Sequence, residues 1–243
     1  MNAFFAALQF LTIFPWPGRA QRSADEIGPA AIFFPVVGIL LGVILALVDV
    51  LLKPFVPATL ASVVLVAILA LLTRGLHLDG LGDTFDGLGA GGNRERMLRI
   101  MDDSHTGAFG LIAIVLLFFF KIHAIENLDH ERWRALLAAP ALGRWSMVLL
   151  GYRSQAAKPG LGSALIAHLE TKHVIVATFI MLVLTAAILH GTGVALMIWI
   201  AAFSLASKKY FHRRLGGLTG DIFGAVGELS ETSILVALAL GLQ

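Results

Sequence analysis

RGLHLDGLGDTFDGLGAGGNRERMLRIMDDSHTGAFG, residues 74–110, decides how the rest of the chain is read. It gathers Asp79, Asp83, Asp86, Asp102 and Asp103 into 25 residues of a protein that otherwise avoids charge. The first three acids fall at i, i+4 and i+7. On a helix turning about 100° per residue they lie within about 60° of one another, on one face. Carboxylates so grouped repel unless a cation lies between them, and Mg²⁺ or Mn²⁺ suits oxygen donors. Leu78, Leu81, Phe85 and Leu88 interleave with the acids, so the segment reads as half-buried, and buried carboxylates need partners. Gly80, Gly82, Gly87, Gly89, Gly91 and Gly92 pull the other way. Each costs about 1 kcal/mol in a helix interior, which leaves a continuous helix open, although glycine also lets backbone approach a ligand. Asn93 is placed to cap a short amphipathic helix through Met101, with Leu98, Ile100 and Met101 as its apolar contacts.

Outside this stretch the chain is 58% hydrophobic and 14% charged. Soluble domains carry about 25% charge, so the composition predicts an integral membrane protein. Apolar runs long enough for about 30 Å of hydrocarbon point to helices rather than a barrel. The predicted architecture is all-α, a polytopic transmembrane bundle of about seven spans forming a single domain over residues 1–243. The spans read as 27–52, 55–73, 107–125, 135–152, 173–190, 194–207 and 222–242. Residues 3–16, bounded by Pro15 and Pro17, are too short to cross and read as an interfacial or re-entrant helix. No Lys or Arg precedes Phe4, and Pro15-Trp16-Pro17 is no cleavage site, so no signal peptide is predicted.

Charge orients the bundle. With the acid-rich stretch facing the cytoplasm, Arg19, Arg22, Arg74, Arg94, Arg96, Arg99, Arg153, Lys158, Lys172, Lys208, Lys209, Arg213 and Arg214 share its side. Lys53, Arg132 and Arg134 face the other way, while Lys121 and Arg144 lie within spans. Thirteen against three is a positive-inside signal. Trp16, Trp133, Tyr152 and Tyr210 fall near span ends as interfacial anchors. A net charge of +2 implies no nucleic-acid partner, and the absence of cysteine excludes disulfides, thiolate nucleophiles and Cys-ligated zinc.

The last span carries a second set of acids, Asp221, Glu228 and Glu231. An acid within the membrane costs roughly 2.5–3.5 kcal/mol even on a lenient scale, so these need partners. Arg144 is their countercharge or, equally, a phosphate ligand. Gly216–Gly220, with Thr219, opens the last helix behind a basic run and offers backbone N–H groups to an anion. His77 and His105 flank the first acid cluster as bases or hydrogen-bond partners; His123, His130, His168, His173, His190 and His212 read as polar groups near span ends. No Ser/His/Asp or HExxH arrangement is present.

Four ordered motifs, LQFLTIFPWP (8–17), HLDGLGDTFDG (77–87), RMLRIMDDSHTGAFG (96–110) and GGLTGDIFGAVGELSE (216–231), give the chain a family resemblance over nearly its whole length. It resembles the cobalamin synthases, the membrane-bound adenosylcobinamide-GDP ribazoletransferases. The resemblance implies that α-ribazole, or its 5′-phosphate, attacks the phosphate nearest the corrinoid arm of adenosylcobinamide-GDP. GMP leaves, adenosylcobalamin or its phosphate forms, and Mg²⁺ is required. It further implies Asp79, Asp83 and Asp86 as metal ligands, with Asp102 and Asp103 behind them, and Thr219, Asp221 and Glu228 in the late motif as substrate-binding groups beside Arg144. A cluster aspartate, Asp83 or Asp79, is the expected base, with His77 second. The setting so implied is a bacterial inner membrane with the active face cytoplasmic; assembly into a homo-oligomer is left open.

Two other readings stand beside it. A CDP-alcohol phosphatidyltransferase-like phospholipid synthase also breaks a diphosphate with aspartates and Mg²⁺, but its Ala-Arg after the first Asp-Gly is missing here. A cation-coupled transporter would use Glu228, Glu231 and Arg144, yet the densest acids lie at one face rather than at the midplane.

Overall fold

The computed structural model describes residues 3–14, 27–128 and 132–241, so Pro15, Trp16, Pro17, Arg19, Arg22 and His130 lie outside the described residues. All regular elements described are helical: α1 (Ala3–Leu11), α2 (Ile27–Ala30), α3 (Phe34–Leu52), α4 (Ala58–Leu72), α5 (Leu76–Ala90), α6 (Arg94–Met101), α7 (Ala108–Glu126), α8 (Arg132–Gly151), α9 (Leu161–His168), α10 (Thr171–Leu189), α11 (Gly191–Leu215) and α12 (Gly220–Ala239). A 3₁₀ turn, Ala31–Phe33, joins α2 to α3.

Five of these segments are long and apolar enough to cross a membrane: Ile27–Leu52, Ala108–Glu126, Thr171–Leu189, Gly191–Leu215 and Gly220–Ala239. A sixth arises if α4 and α5, bent by 90°, count together. The expected number was about seven, and the difference lies at α8. The 135–152 segment became α8, which carries Arg132, Arg134 and Arg144, and every side chain from Ala138 to Val148 is buried. Surrounded by other helices, α8 meets little lipid and need not be uniformly apolar. Outward-facing Leu111, Ile112, Leu116, Phe119, Phe120, Ile175 and Phe179 are exposed, as a lipid-facing surface requires.

Small residues bring α3 against α8. A Cβ at Gly38 would fall 2.5 Å from Ala141 Cα, and one at Gly42 would fall 2.5 Å from Leu136 O. Leu136 O is the carbonyl that Pro140, lacking an N–H, leaves without its helical donor, so Gly42 abuts the gap in the ladder. Because the obstacles are backbone, they cannot swing aside. Gly38→Ala is therefore expected to force the helices apart and cost about 1–3 kcal/mol, read as a lower melting temperature in detergent.

The bend between α4 and α5 is built from two consecutive left-handed residues, Arg74 (φ 56°) and Gly75 (φ 65°). Gly75 N–H donates to Ala70 O at 2.8 Å and Arg74 N–H to Leu71 O at 3.0 Å, the paired bonds of a Schellman ending. Beyond it α5 turns away and packs across α7 and α12, with Leu81 meeting Leu117 and Ala225. The helix is continuous despite its glycines, because several are contact points: a Cβ at Gly80 would lie 2.7 Å from Asp221 O, and one at Gly224 would lie 3.0 Å from His77 Cα. Close packing offsets what propensity costs. At the far end of the bundle Arg132 pairs with Asp49 at 3.1 Å, well away from the acid-rich helix.

Candidate active site

Crossing α5 over the start of α12 sets Asp79 and Asp83 opposite Asp221. Asp79 is exposed, Asp83 and Asp221 are half-buried, and Asp86 is buried. Burial, then the charges of Asp79 and Asp221, push the Asp83 carboxyl up to about 7; Lys158 acts in the opposite sense. Lys158 comes from the loop between α8 and α9. Its ammonium binds Asp102 at the end of α6 and stands 3.3 Å from Asp221 Oδ2, an ion pair that leaves that oxygen without a hydrogen-bond partner.

Backbone fixes this loop. Ala157 N–H donates to Leu218 O and Leu218 N–H to Gln155 O, both at 2.8 Å, which ties it to the glycine-rich turn. Arg94 of α6 donates to Leu215 O at 2.6 Å and to Ala157 O at 2.9 Å, joining the turn, the loop and α6. A cavity of about 210 Å³ opens there, lined among others by His77, Asp79, Lys158, Gly220, Asp221 and Phe223. Phe10, Leu76, Asp79 and Leu161 also line a wider cleft of about 830 Å³ running toward Arg74 and α1. The cavity at the other end, lined by Leu128, Arg134, Leu189, His190 and Leu238, shows no carboxylate among the described residues.

The remaining candidates have other engagements. Asp86 accepts from Gly107 N–H at 2.7 Å and from Gly110 N–H at 2.9 Å, so both oxygens serve the start of α7. A negative charge at that end is stabilising, since these N–H groups have no helical acceptor. Asp86→Ala is expected to cost about 1–3 kcal/mol of stability, seen as a lower melting temperature, while Mn²⁺ affinity is retained. Asp103 is exposed and binds His105 Nδ1 at 2.7 Å; that hydrogen bond holds its carboxyl below the usual range. Thr219 is buried and caps α12, accepting from Ile222 N–H at 3.4 Å. His77 is buried with Nε2 unpaired, and burial, then the Arg144 cation, hold it down to about 3, a very weak base.

Deeper in the bundle lies a quartet. Lys121 of α7 donates to Glu228 and to Glu231 at 2.5 Å each, and Arg144 of α8 binds the other oxygen of Glu231. All four side chains are at most 4% exposed. Of the two sequence-level roles for Arg144, this geometry matches the countercharge, and Glu228 is likewise held inside the protein. Lys121 and Lys158 were not singled out from sequence. Lys121 had a signal, being a cation in a span with two acids in another; Lys158 had none beyond its charge.

Among the described residues no three Asp, Glu or His side chains converge as a ready-made metal cage. Mg²⁺ rarely needs one, because it is commonly bound by one or two carboxylates with substrate phosphates completing the shell. The donors facing the cavity are hard oxygens, Asp221 Oδ2 has no hydrogen-bond partner, and the facing carboxylates repel. That set fits Mg²⁺.

A family model described as cobalamin-5-phosphate synthase matches residues 3–239. A relative from Geotalea daltonii, named adenosylcobinamide-GDP ribazoletransferase, is 41% identical over 98% of this chain and 97% of its own length. One of that name from Syntrophobacter fumaroxidans is 39% identical, over 97% of both chains. Another, from Klebsiella pneumoniae subsp. pneumoniae, is 37% identical over 98% of this chain and 99% of its own. No solved structure matches the chain.

Proposed function

The chain belongs to the cobalamin-5-phosphate synthase family, and on that premise we propose that it joins the two halves of a cobalamin at the surface of a bacterial inner membrane. The donor is adenosylcobinamide-GDP and the acceptor α-ribazole or its 5′-phosphate. A ribazole hydroxyl attacks the phosphate on the cobinamide side, the bond to the bridging oxygen breaks, and GMP departs with the electron pair. The observation that carries this reading is the facing of Asp79 on α5 with Asp221 on α12 across a cavity, with Lys158 beside them and Asp83 one turn further along α5 within their field.

Asp79 and Asp221 would hold Mg²⁺, which when bound offsets charge on the diphosphate. Asp83, assigned to the metal by resemblance, better suits the proton of the attacking hydroxyl, since its proton affinity lies near neutrality. His77 is too weak a base for that step and instead packs α5 against Gly224. Gly220 opens α12 at the cavity wall, where its first N–H groups suit a phosphate oxygen. The wider cleft beside Arg74 has room for part of a bulky donor, and the cytoplasmic side is favoured by the excess of basic residues around these loops.

Membranes containing the protein, given adenosylcobinamide-GDP, α-ribazole and Mg²⁺, should release GMP and form adenosylcobalamin. CDP-diacylglycerol should neither replace the donor nor yield phospholipid. Phospholipid formation without GMP release would favour the phosphatidyltransferase reading instead.

A further inference from the structure

Lys158 has a position that the reaction scheme leaves unused. Its ammonium lines the cavity with Asp79 and Asp221, binds Asp102, and counters the negative field at Asp83. The backbone on either side is pinned, by the Ala157–Leu218 bond before it and by the Gly160 N–H donating to Ser163 Oγ at 3.0 Å after it. The side chain is not. It is 25% exposed and reaches its partners through four methylenes. A lysine is a flexible point charge that can change partners without moving its backbone.

Resting on the proposed reaction, we propose that Lys158 is a tethered counter-cation: it neutralises the aspartates while the cleft is empty and passes to the diphosphate when metal and substrate enter. In the empty cleft it occupies part of the field that a divalent ion would use, so it weakens metal binding there. With the diphosphate present it lies beside the phosphate that leaves. As the bond to the bridging oxygen breaks, the pair of electrons stays on GMP, and the ammonium stabilises that charge without giving up a proton. One side chain thereby disfavours metal without substrate and favours turnover with it.

The test measures Mn²⁺ binding by electron paramagnetic resonance on the purified full-length protein in nanodiscs, with and without adenosylcobinamide-GDP. Wild type, Lys158→Gln, Lys158→Arg and Asp79→Asn are compared, alongside GMP release. Lys158→Gln is expected to bind Mn²⁺ roughly tenfold more tightly without donor, as loss of a nearby like charge requires. Its kcat should fall roughly 100-fold, the usual consequence of deleting one charge-stabilising group. Lys158→Arg keeps the charge and should retain wild-type Mn²⁺ affinity, which guards against a folding defect. Unchanged Mn²⁺ affinity in Lys158→Gln, with binding still lost in Asp79→Asn, overturns the role of Lys158 and leaves the metal site standing. Absence of Mn²⁺ binding in every variant, with GMP released in chelator, overturns both.

Discussion

Asp83→Asn is expected to lower GMP release about a thousandfold while the protein still inserts and keeps its melting temperature. The amide preserves the shape of the side chain on α5 and removes only its ability to take a proton. General-base loss typically costs 10²–10⁴-fold, and the middle of that range applies because Asp83 has neighbours able to act weakly in its place. The pH profile gives the same group a second readout. Asp83 must be ionised to accept a proton, and burial with Asp79 and Asp221 raises its carboxyl to about 7. Mg²⁺ on Asp79 and Asp221 would cancel part of that rise, so kcat/KM should fall about tenfold per pH unit below a midpoint between the ordinary carboxylate range and about 7, and level off above it. The groups setting this midpoint are Asp79, Asp221 and Asp86, which raise it, and Lys158, which lowers it. A profile flat from pH 4.5 to 8, or full turnover in Asp83→Asn, would remove Asp83 from the proton transfer.

The largest stability effect is expected at Lys121→Leu. Removing this ammonium strands Glu228 inside the bundle, because Lys121 is its charged partner, and leaves Glu231 with Arg144 alone. Breaking a buried pair by deleting one partner costs about 3–5 kcal/mol, most of it the penalty of an uncompensated charge. Little folded Lys121→Leu protein should be recovered from membranes. Lys121→Leu combined with Glu228→Gln should restore much of it, since the stranded charge is then gone. Equal loss in the single and double variants would mean that packing at position 121, rather than charge, holds α7 to α12.

These two residues mark how far the sequence could be read. Asp79 and Asp83 were legible because spacing alone assigns one helical face, and one helix does carry them. Its continuity was not legible: glycine propensity argues against it, and the contacts that outweigh propensity, Gly80 on Asp221 and Gly224 on His77, come from a helix about 140 residues later. Asp86 shares the spacing of the other two, yet it sits where α7 begins, and no pattern within 79–86 shows that Gly107 and Gly110 supply its donors. Lys121 was visible as a charge inside a span, but its partners depend on how α7 is rotated, which a nearly uniform apolar surface does not reveal. α8 was read as a span from its length; its arginines and its burial mark it further as the helix the others enclose.

The interior quartet has one more consequence. Two cations and two anions sum to zero, so the group as a whole presents no gating charge. A single charge crossing the bilayer is worth about 2.3 kcal/mol per 100 mV, and a neutral set gains nothing from that field. The protein can thus keep ions in its hydrophobic interior without adding a net charge there for the membrane potential to pull on.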